Sequence, residues 1–411
     1  MTGSELRNPD GSSRASDRAL RIAHLADTHL GYSALGKSDP ESGRNQRAVD
    51  MERGFAAAID DILTRDVDLV LHAGDVFHHT RPSWSTLSHF VRQMRRLERA
   101  GIPAVVIAGN HDTPRLRTTG SVYGLMALAL PEIEFVFGYE AEERVFDRLG
   151  LLVHAVPHGA LTNPDPPALL SDPTRRNIVV AHGRVLGYSN RKEREPGEED
   201  LKGNVLDSEF DYVALGHEHL RGAAGTNAWY SGSTERTSWG DAIATPGYAL
   251  VTLRQGALPV VEFVDLPARP METLSPIDAK DMSAREIADA VLRRAGALGL
   301  PEAMVRVELK NTPRPLFRET DAIVRREIGH AAWHIRLYTP NELGSPGAEG
   351  NEVSSLNELH PLTLFDQFVS QRTAAGFYED EFATRFRQRG RAALESAVAR
   401  AQEAITVEGS Q

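Results

Sequence analysis

The sequence of 411 residues contains no cysteine. This absence excludes disulfide bonds, thiolate metal ligands and cysteine nucleophiles, so a metal site would have to use histidine, carboxylate or amide side chains. The chain also lacks an apolar run of about 20 residues, the length needed to cross a bilayer, and its polar N-terminus is unlike a signal peptide. We therefore expect a cytoplasmic protein without a membrane contact.

An excess of basic residues is lacking too. The chain has 46 Lys and Arg against 57 Asp and Glu, a formal net charge of −11. This balance argues against a uniformly basic coat for nucleic acid, because phosphate binding is dominated by Lys and Arg. Contacts with DNA would have to be local, and the candidates for them lie beside the polar clusters described below: Arg115, Arg117, Arg184 and Arg221.

The apolar pattern predicts the fold. Short apolar runs at residues 20–26, 68–73 and 104–108 alternate with helical spacing at residues 45–64 and 83–99. This alternation predicts two βαβ units, whose parallel strands end at the same edge of a sheet. Many short apolar runs after residue 133 predict a second sheet packed on the first. The expected fold class is α/β (α+β), a β-sandwich flanked by helices.

Polar clusters follow five of the predicted strands. They are Asp27-Thr-His29, Gly74-Asp75, Gly109-Asn-His-Asp112, Ala181-His182-Gly183 and Gly216-His217-Glu-His219. A single cluster is weak evidence, because Asp-x-His and His-x-His pairs also occur by chance in turns. Their joint occurrence at strand ends predicts one site for two divalent metal ions. The mixed oxygen and nitrogen donors suit manganese, iron or zinc.

Spacing and chemistry predict how the ligands act. The Asp27-Thr-His29 and His217-Glu-His219 pairs are each separated by one residue, so in extended backbone both members point to one side. Asp75 is predicted to bridge the two ions, and Asn110 to bind through its carbonyl oxygen without adding charge. Such a site hydrolyses phosphoesters, because two cations polarise the ester and acidify water.

His111 is the predicted catalytic residue outside the ligand set. Next to Asn110, its side chain is expected to point away from the metal and to donate a proton to the leaving oxygen. Asp112 is a second candidate, which would orient His111 through a carboxylate–imidazole hydrogen bond. The alternative for Asp112 is that it caps the turn leading to Pro114.

Three motifs resemble those of the calcineurin-like metallophosphoesterase superfamily and, within it, the SbcD-type nuclease subunits of double-strand-break repair. They are residues 24–31 (HLADTHLG), 72–82 (HAGDVFHHTRP) and 109–112 (GNHD), and the similarity extends over residues 20–265. The resemblance implies two overlapping ligand sets: Asp27, His29, Asp75 and His219 for one ion, and Asp75, Asn110, His182 and His217 for the other.

The resemblance also implies a further site residue and an activity. His78 matches a second active-site histidine that acts on the DNA end in part of the family, and the alternative is a surface loop histidine beside His79. The expected protein is a manganese-dependent DNA exonuclease and endonuclease acting on double-stranded ends and hairpins. It would work with an SbcC-type coiled-coil ATPase and form a homodimer through the helices at residues 45–64 and 83–99.

Composition and resemblance together predict five regions. Proline at positions 267 and 270 marks the end of the catalytic domain, and a Gly- and Ser-rich stretch marks a linker. The predicted helix at residues 362–372 has an apolar face that fits ATPase docking or, alternatively, a plain core helix, formed by Leu364, Phe365, Phe368 and Val369. The regions are a disordered tail (1–18), the metallophosphoesterase nuclease domain (19–268), an α+β capping domain (269–340), the linker (341–357) and a helical ATPase-docking segment (358–411).

Two other classes of function use the same residues. A phosphodiesterase for small molecules, or a phosphoprotein phosphatase, would bind the same metals but would not need a capping domain and a helical tail. A non-catalytic scaffold could retain the fold. Intact ligands at every cluster argue against that last reading.

Overall fold

The computed structural model describes residues 18–165, 167–188 and 197–340 and, towards the C-terminus, 365–366, 369–370, 373 and 381–392. Almost all of the predicted tail, the whole predicted linker and most of the predicted docking segment lie outside the described residues. Residues 381–392 are helical. Among the helices that the structure describes, none is both long enough and apolar enough to span a membrane.

The first sheet contains the predicted βαβ units. Its strands are, in spatial order, β12 (Val260–Asp265), β11 (Gly247–Leu253), β1 (Leu20–Leu25), β2 (Leu69–His72), β3 (Ala104–Ile107) and β4 (Ile133–Val136). β1 to β4 are parallel to one another, whereas β11 is antiparallel to β1 and to β12. The carboxyl ends of β1, β2 and β3 therefore share one edge of the sheet.

Two long helices make the crossovers between these parallel strands. α1 (Gln46–Ile62) begins after Asn45, whose side-chain oxygen accepts two backbone N–H groups of the first turn. α2 (Trp84–Ala100) begins after Ser83, which caps it in the same way, and ends at Gly101 with a left-handed φ of 70°. The apolar faces of both helices are buried against the first sheet.

The second sheet follows in the chain. Its strands are, in spatial order, β5 (Glu142–Phe146), β6 (Leu151–Val156), β7 (Arg176–His182), β8 (Tyr212–Gly216), β10 (Ala228–Tyr230) and β9 (Gly222–Ala223). β6, β7, β8 and β10 are parallel, with antiparallel strands at both edges. The shorter helices are α3 (Val122–Ala129) and α4 (His158–Leu161).

The two sheets pack face to face. Ile22, Leu71 and Val105 of the first sheet form one buried apolar cluster with Val153 and Ile178 of the second. Since α1 and α2 cover the other face of the first sheet, the architecture is a β-sandwich with helices outside. The predicted fold class is confirmed. This packing brings the carboxyl ends of β7 and β8 to the strand ends of the first sheet.

The described chain divides into two compact units: residues up to 272 with 298–305 and 330–334, and residues 273–297 and 306–329 with those described after 334. In the second unit two helices pack together, and Arg285 forms an ion pair with Glu327 at 2.7 Å. The predicted boundaries at residues 268, 340 and 357 stay predictions.

The elements after residue 270 are β13 (Met271–Asp278), α5 (Ala284–Ala297), β14 (Met304–Lys310), α6 (Arg314–Glu327) and β15 (His334–Tyr338).

Candidate metal centre

The loops after β1 and β2 have left-handed backbone at three predicted ligands. The φ angles are 52° at Asp27, 42° at His29 and 54° at Asp75, a conformation that costs a non-glycine residue about 1–3 kcal/mol. The N–H groups of Asp27 and His29 donate to the carbonyls of Gly74 and Asp75, both at 3.0 Å, which joins the two loops. The expectation of an extended Asp-x-His pair is therefore wrong, although both side chains still reach one site.

One group of donors consists of Asp27, His29 and His219, whose ligand atoms lie within 4.8 Å of one another. The Nε2 atoms of His29 and His219 are 3.0 Å apart. The Nε2 of His29 is also 3.8 Å from the Oδ2 of Asp75. Imidazole nitrogens and carboxylate oxygens that converge in this way are suitable ligands for one divalent cation.

A second group surrounds Asn110. Its Oδ1 lies 2.9 Å from the Nε2 of His182 and 3.2 Å from the Nδ1 of His217. The other ring nitrogen of His182 donates to the carbonyl of Ala73 at 2.7 Å. The Nε2 of His182 therefore presents its lone pair to the site.

Asp75 lies between the two groups. Its Oδ1 accepts the backbone N–H of His111 at 2.9 Å, whereas its Oδ2 is 3.6 Å from the Nε2 of His182 and 3.8 Å from that of His29. Burial alone would raise the pKa of Asp75, but the neighbouring histidines hold it well below its usual range. The geometry thus leaves one ionised oxygen, Oδ2, facing both groups of donors.

Glycines permit the close approach of these strand ends. Gly74 has a φ of 91°, and a Cβ there would lie 2.5 Å from the Nδ1 of His182. A Cβ at Gly109 would overlap the carboxylate of Asp75, and one at Gly216 would overlap the carbonyl oxygen of Ala73. Each of these glycines lies at or just after the end of a strand, where a larger side chain would separate the ligands.

The electrostatics of the site fit cations. Burial raises the pKa of Asp27 to about 7, and the nearby Asp75 contributes to the rise. Burial lowers the pKa of His182 to about 3, which keeps its imidazole neutral with a free lone pair. Burial would also lower the pKa of His219, but the carboxylate of Asp241 raises it to about 9. Closely spaced buried carboxylates with imidazole and amide donors are the chemistry that a pair of divalent cations requires.

His111 and His78 lie beside the ligands at the open side of the site. Their rings stack, with centroids 5.0 Å apart and planes at 21°. The Nδ1 of His111 is 3.0 Å from the backbone carbonyl oxygen of His78, and its Nε2 is 3.9 Å from the Oδ2 of Asp75. The Nδ1 of His78 faces that of His29 at 3.4 Å. His78 therefore lies in the site and is not only a surface histidine.

The structure corrects the expected contact between Asp112 and His111. Asp112 is buried and accepts hydrogen bonds from the backbone N–H groups of Val76 at 3.0 Å and Phe77 at 2.9 Å. It also accepts the hydroxyl of Tyr123 at 2.8 Å. Because its oxygens accept these bonds, Asp112 holds the loop after β2. The group that contacts the Nδ1 of His111, where the Asp112 carboxylate was expected, is the backbone carbonyl of His78.

Two acidic residues beside the site were not predicted from the sequence. The Oδ2 of Asp241 is 3.0 Å from the Nδ1 of His219, and the Oε1 of Glu198 is 3.1 Å from the Nε2 of His217. Glu198 belongs to a run of charged residues that is typical of a solvated loop. Asp241 lies after the last cluster in the sequence, and no regular spacing connects it with the ligands. No sequence signal distinguishes either residue.

The arginines proposed to contact DNA differ in their surroundings. The side chain of Arg184 is only 11% exposed and lies 3.6 Å from Glu198. Arg117 donates to a side-chain oxygen 2.7 Å away, and Arg221 to a carboxylate at 2.6 Å. Arg115 is exposed. The structure thus assigns Arg184 to the interior of the protein, whereas the other three remain candidates for a ligand contact.

Residues 20–221 match the family model described as calcineurin-like phosphoesterase. These residues form a calcineurin-like phosphoesterase domain. All five clusters lie within this phosphoesterase domain, so the predicted superfamily is confirmed. Among solved structures, a dimetal phosphatase from Danio rerio covers 60% of this chain and 98% of its own, with 14% identity and a TM-score of 0.35. That match is too distant to bear on function.

Similarity to curated proteins extends past the phosphoesterase domain. A DNA double-strand break repair protein Mre11 from Haloferax volcanii is 31% identical over 298 residues, which cover 71% of this chain and 61% of that protein. The proteins of the same name from Methanococcus maripaludis and Saccharolobus solfataricus are each 26% identical, over 53% and 49% of this chain and 57% and 50% of their own lengths. The chain thus spans about half to three fifths of these relatives.

Proposed function

We propose that the chain is a two-metal-dependent DNA nuclease subunit that hydrolyses phosphodiester bonds at DNA ends. One observation carries the proposal: the seven predicted ligands and His111 meet at one edge of the phosphoesterase domain. Manganese is the proposed metal, because carboxylate, amide and imidazole donors without thiolates suit it. The ligands are Asp27, His29, Asp75, Asn110, His182, His217 and His219.

The protein side chains have separate tasks in this proposal. Two divalent cations would supply polarisation of the phosphodiester and acidification of water. The Oδ2 of Asp75 faces both groups of donors, and the neutral Asn110 keeps the net charge favourable for an anionic substrate. The backbone carbonyl of His78 accepts the Nδ1–H of His111, so Nε2 is the nitrogen that would first have to take up a proton and then deliver it to the leaving oxygen.

DNA is the proposed substrate for two reasons. The relatives described above carry the name of a DNA double-strand break repair protein, and the motifs around His78 resemble those of SbcD-type subunits. We extend the proposal to double-stranded ends and hairpins, to a role in double-strand-break repair and to a cytoplasmic location. Regions 269–340 and 358–411 would serve as capping domain and docking segment for an SbcC-type ATPase.

A homodimer is part of the proposal, through α1 and α2. Trp84, at the start of α2, is 80% exposed and is therefore accessible to a second copy of the chain. Light scattering of the purified protein should give twice the mass of one chain. Trp84→Glu should shift the distribution towards the monomer, and an unchanged dimer would exclude this residue from the interface.

The central test is an assay of purified protein with Mn²⁺ on linear duplex DNA, a DNA hairpin and a chromogenic phosphodiester. The unaltered protein should degrade DNA, and His111→Ala should reduce the rate by about 10²–10⁴-fold while metal content stays the same. His330→Ala is a matched control, since His330 is exposed. DNA cleavage by the His111 variant at the parental rate would contradict its role.

The same assay separates the alternative function. Cleavage of the chromogenic diester without action on any DNA would favour a phosphodiesterase for small molecules, and action on phosphoproteins would favour a phosphatase. Removal of residues after 357 should abolish binding to a purified SbcC-type coiled-coil ATPase and spare basal nuclease activity. Retained binding would contradict the docking assignment.

A further inference from the structure

The two histidines of the His217-Glu-His219 motif turn opposite ring nitrogens towards the centre of the site. His219 presents Nε2, which lies 3.0 Å from the Nε2 of His29, while its Nδ1 lies 3.0 Å from the Oδ2 of Asp241. His217 presents Nδ1, which lies 3.2 Å from the Oδ1 of Asn110. Its Nε2 lies 3.1 Å from the Oε1 of Glu198, a charge contact that lacks the alignment of a hydrogen bond.

We propose that Asp241 and Glu198 are positioning residues, each of which selects the metal-facing nitrogen of one histidine and so controls the occupancy of one of the two cation sites. The proposal rests on the two-cation site proposed above. A neutral imidazole carries its proton on one nitrogen only. A carboxylate close to one ring nitrogen favours the proton on that nitrogen, by its charge and, where the groups are aligned, by a hydrogen bond, and so leaves the lone pair of the other nitrogen for a metal.

The orientation of Asp241 is set by its own loop. Its Oδ2 accepts the backbone N–H groups of Thr237 and Ser238 and the hydroxyl of Thr237, each at 2.9 Å. These bonds cap the 3₁₀ turn Trp239–Ile243. Because the carboxylate is held by backbone donors, its direction does not depend on His219. Asp241 can therefore act as a fixed acceptor against which the ring aligns.

Glu198 is held in place by different contacts. Its side chain is only 2% exposed, and its Oε2 lies 3.6 Å from the guanidinium of Arg184. Arg184 follows the ligand His182 by two residues, and its backbone N–H donates to the carbonyl of Glu199 at 2.9 Å. The buried carboxylate thus has a cation on one side and His217 on the other, which supports a buried charge in that place.

The two positioning residues serve different ligand sets. His219 belongs to the group with Asp27 and His29, and His217 to the group with Asn110 and His182. Loss of an outer hydrogen-bond partner of a metal-binding histidine typically costs about 10–100-fold in metal affinity. Asp241→Asn should therefore weaken one cation site, and Glu198→Gln the other. Both substitutions keep the size of the side chain and remove its charge.

The test is a titration of each full-length variant with Mn²⁺, by calorimetry and by electron paramagnetic resonance. The unaltered protein should bind two ions and give the signal of a magnetically coupled pair. Each variant should bind one ion with the parental affinity and the second about 10–100-fold more weakly, with the signal of an isolated ion at intermediate Mn²⁺. The double variant should bind both ions about 10–100-fold more weakly. Glu199→Gln and Asp265→Asn are controls, because Glu199 faces Lys202 and Asp265 faces Arg221.

A measurement on the unaltered protein covers the case in which a variant does not fold. With Zn²⁺ bound, nitrogen-15 NMR should place the ring proton of His217 on Nε2 and that of His219 on Nδ1. The same proton position in both rings would overturn the proposal. So would two tight Mn²⁺ sites in both variants, or a parent that binds fewer than two ions. A parent that binds two ions and cleaves no DNA would instead refute the proposed nuclease function and leave this inference standing.

Discussion

The Nε2 atoms of His29 and His219 lie 3.0 Å apart although the residues are 190 positions apart in the chain. Two neutral imidazoles that both direct lone pairs into this space would repel each other. A shared proton or a cation removes that repulsion, and the carboxylates of Asp27 and Asp75 close by favour a positive charge there. The stability of the folded domain therefore depends on whether a proton or a cation lies between these two Nε2 atoms.

We therefore expect Mn²⁺ to stabilise the protein against heat. At a concentration of 100 Kd, binding to the folded state alone adds about 2.7 kcal/mol, which raises the Tm of a domain this large by about 5–10 °C. Differential scanning fluorimetry with and without a chelator measures the shift. Asp75→Asn, which removes the charged oxygen between both groups, should show little or none of it, and a full shift in that variant would contradict the bridging role.

Asp112 should act on stability. Asp112→Ala leaves the N–H groups of Val76 and Phe77 and the hydroxyl of Tyr123 without their acceptor, and each unsatisfied buried group costs about 1–3 kcal/mol. We expect the free energy of unfolding to fall by about 3 kcal/mol or more, measured by urea denaturation. Tyr123→Phe, which removes one of the bonds, should cost about 1 kcal/mol. Unchanged stability with a large loss of kcat would restore the original prediction that Asp112 orients His111.

Gly109→Ala should damage the site through contact with Asp75. The added Cβ overlaps the Asp75 carboxylate, so the strand ends must separate. We expect the Mn²⁺ affinity to fall by at least about 10-fold, the size of loss that follows removal of a group supporting a metal ligand. Gly124→Ala is the matched control. In α3 its Cβ would meet nothing closer than 3.9 Å, and alanine favours the helix by about 0.5–1 kcal/mol.

The ion pair between Asp50 and Arg269 should give a pH dependence of stability. Burial alone would raise the pKa of Asp50, but the two hydrogen bonds from Arg269, at 2.7 and 3.0 Å, contribute to holding it below the usual value. A carboxyl whose pKa is lowered by folding stabilises the protein above its unfolded pKa of about 3.9 and loses that contribution as the pH falls through the folded value.

Urea denaturation between pH 6 and pH 3 tests this expectation. The difference in stability between the parent and Asp50→Asn should be largest at pH 6 and should shrink as the pH falls below about 3.9. A difference that stays constant over this range would mean that the folded pKa is not lowered. Asp60→Asn offers a comparison, because Asp60 pairs with Arg96 at the surface, where ion pairs contribute about 0–1 kcal/mol.

His78→Ala should be milder than His111→Ala. The group of residue 78 that contacts the Nδ1 of His111 is a backbone carbonyl, which the substitution retains. The loss is the ring that faces the Nδ1 of His29 at 3.4 Å, an outer-shell effect of about 10–100-fold. Steady-state cleavage of a duplex end compares the two variants. Equal losses in both would argue that His78 itself touches the substrate.

The elements that the sequence predicted well are those with strong periodicity. α1 was expected at residues 45–64 and spans Gln46–Ile62, because Phe55, Ile59 and Ile62 recur at helical spacing and are buried together. α3 was missed, since Val122–Ala129 is apolar on all sides and shows no polar face. α6 begins at Arg314 with a proline in its first turn, a position where proline is tolerated.

The site divides in a similar way. Its ligands were predictable because each lies at or just after the carboxyl end of a strand, where the topology of parallel strands brings distant residues together. The left-handed backbone at Asp27 and His29 was not, since it depends on hydrogen bonds to Gly74 and Asp75 in the neighbouring loop. Glu198 and Asp241 could not be predicted for the same reason, because only the folded chain brings them next to His217 and His219.

The distance along the chain between the ligands has a consequence for biosynthesis. Asn110 and His217 face each other at 3.2 Å but are 107 positions apart, an interval that a ribosome needs about 5–20 s to translate. During this time Asp27, Asp75 and Asn110 can be outside the ribosome while their later partners do not yet exist. Since metal affinity depends on a complete, folded set of ligands, tight uptake of metal must follow the synthesis of β8 and of the His217-Glu-His219 motif after it, and is a late step in the assembly of the domain.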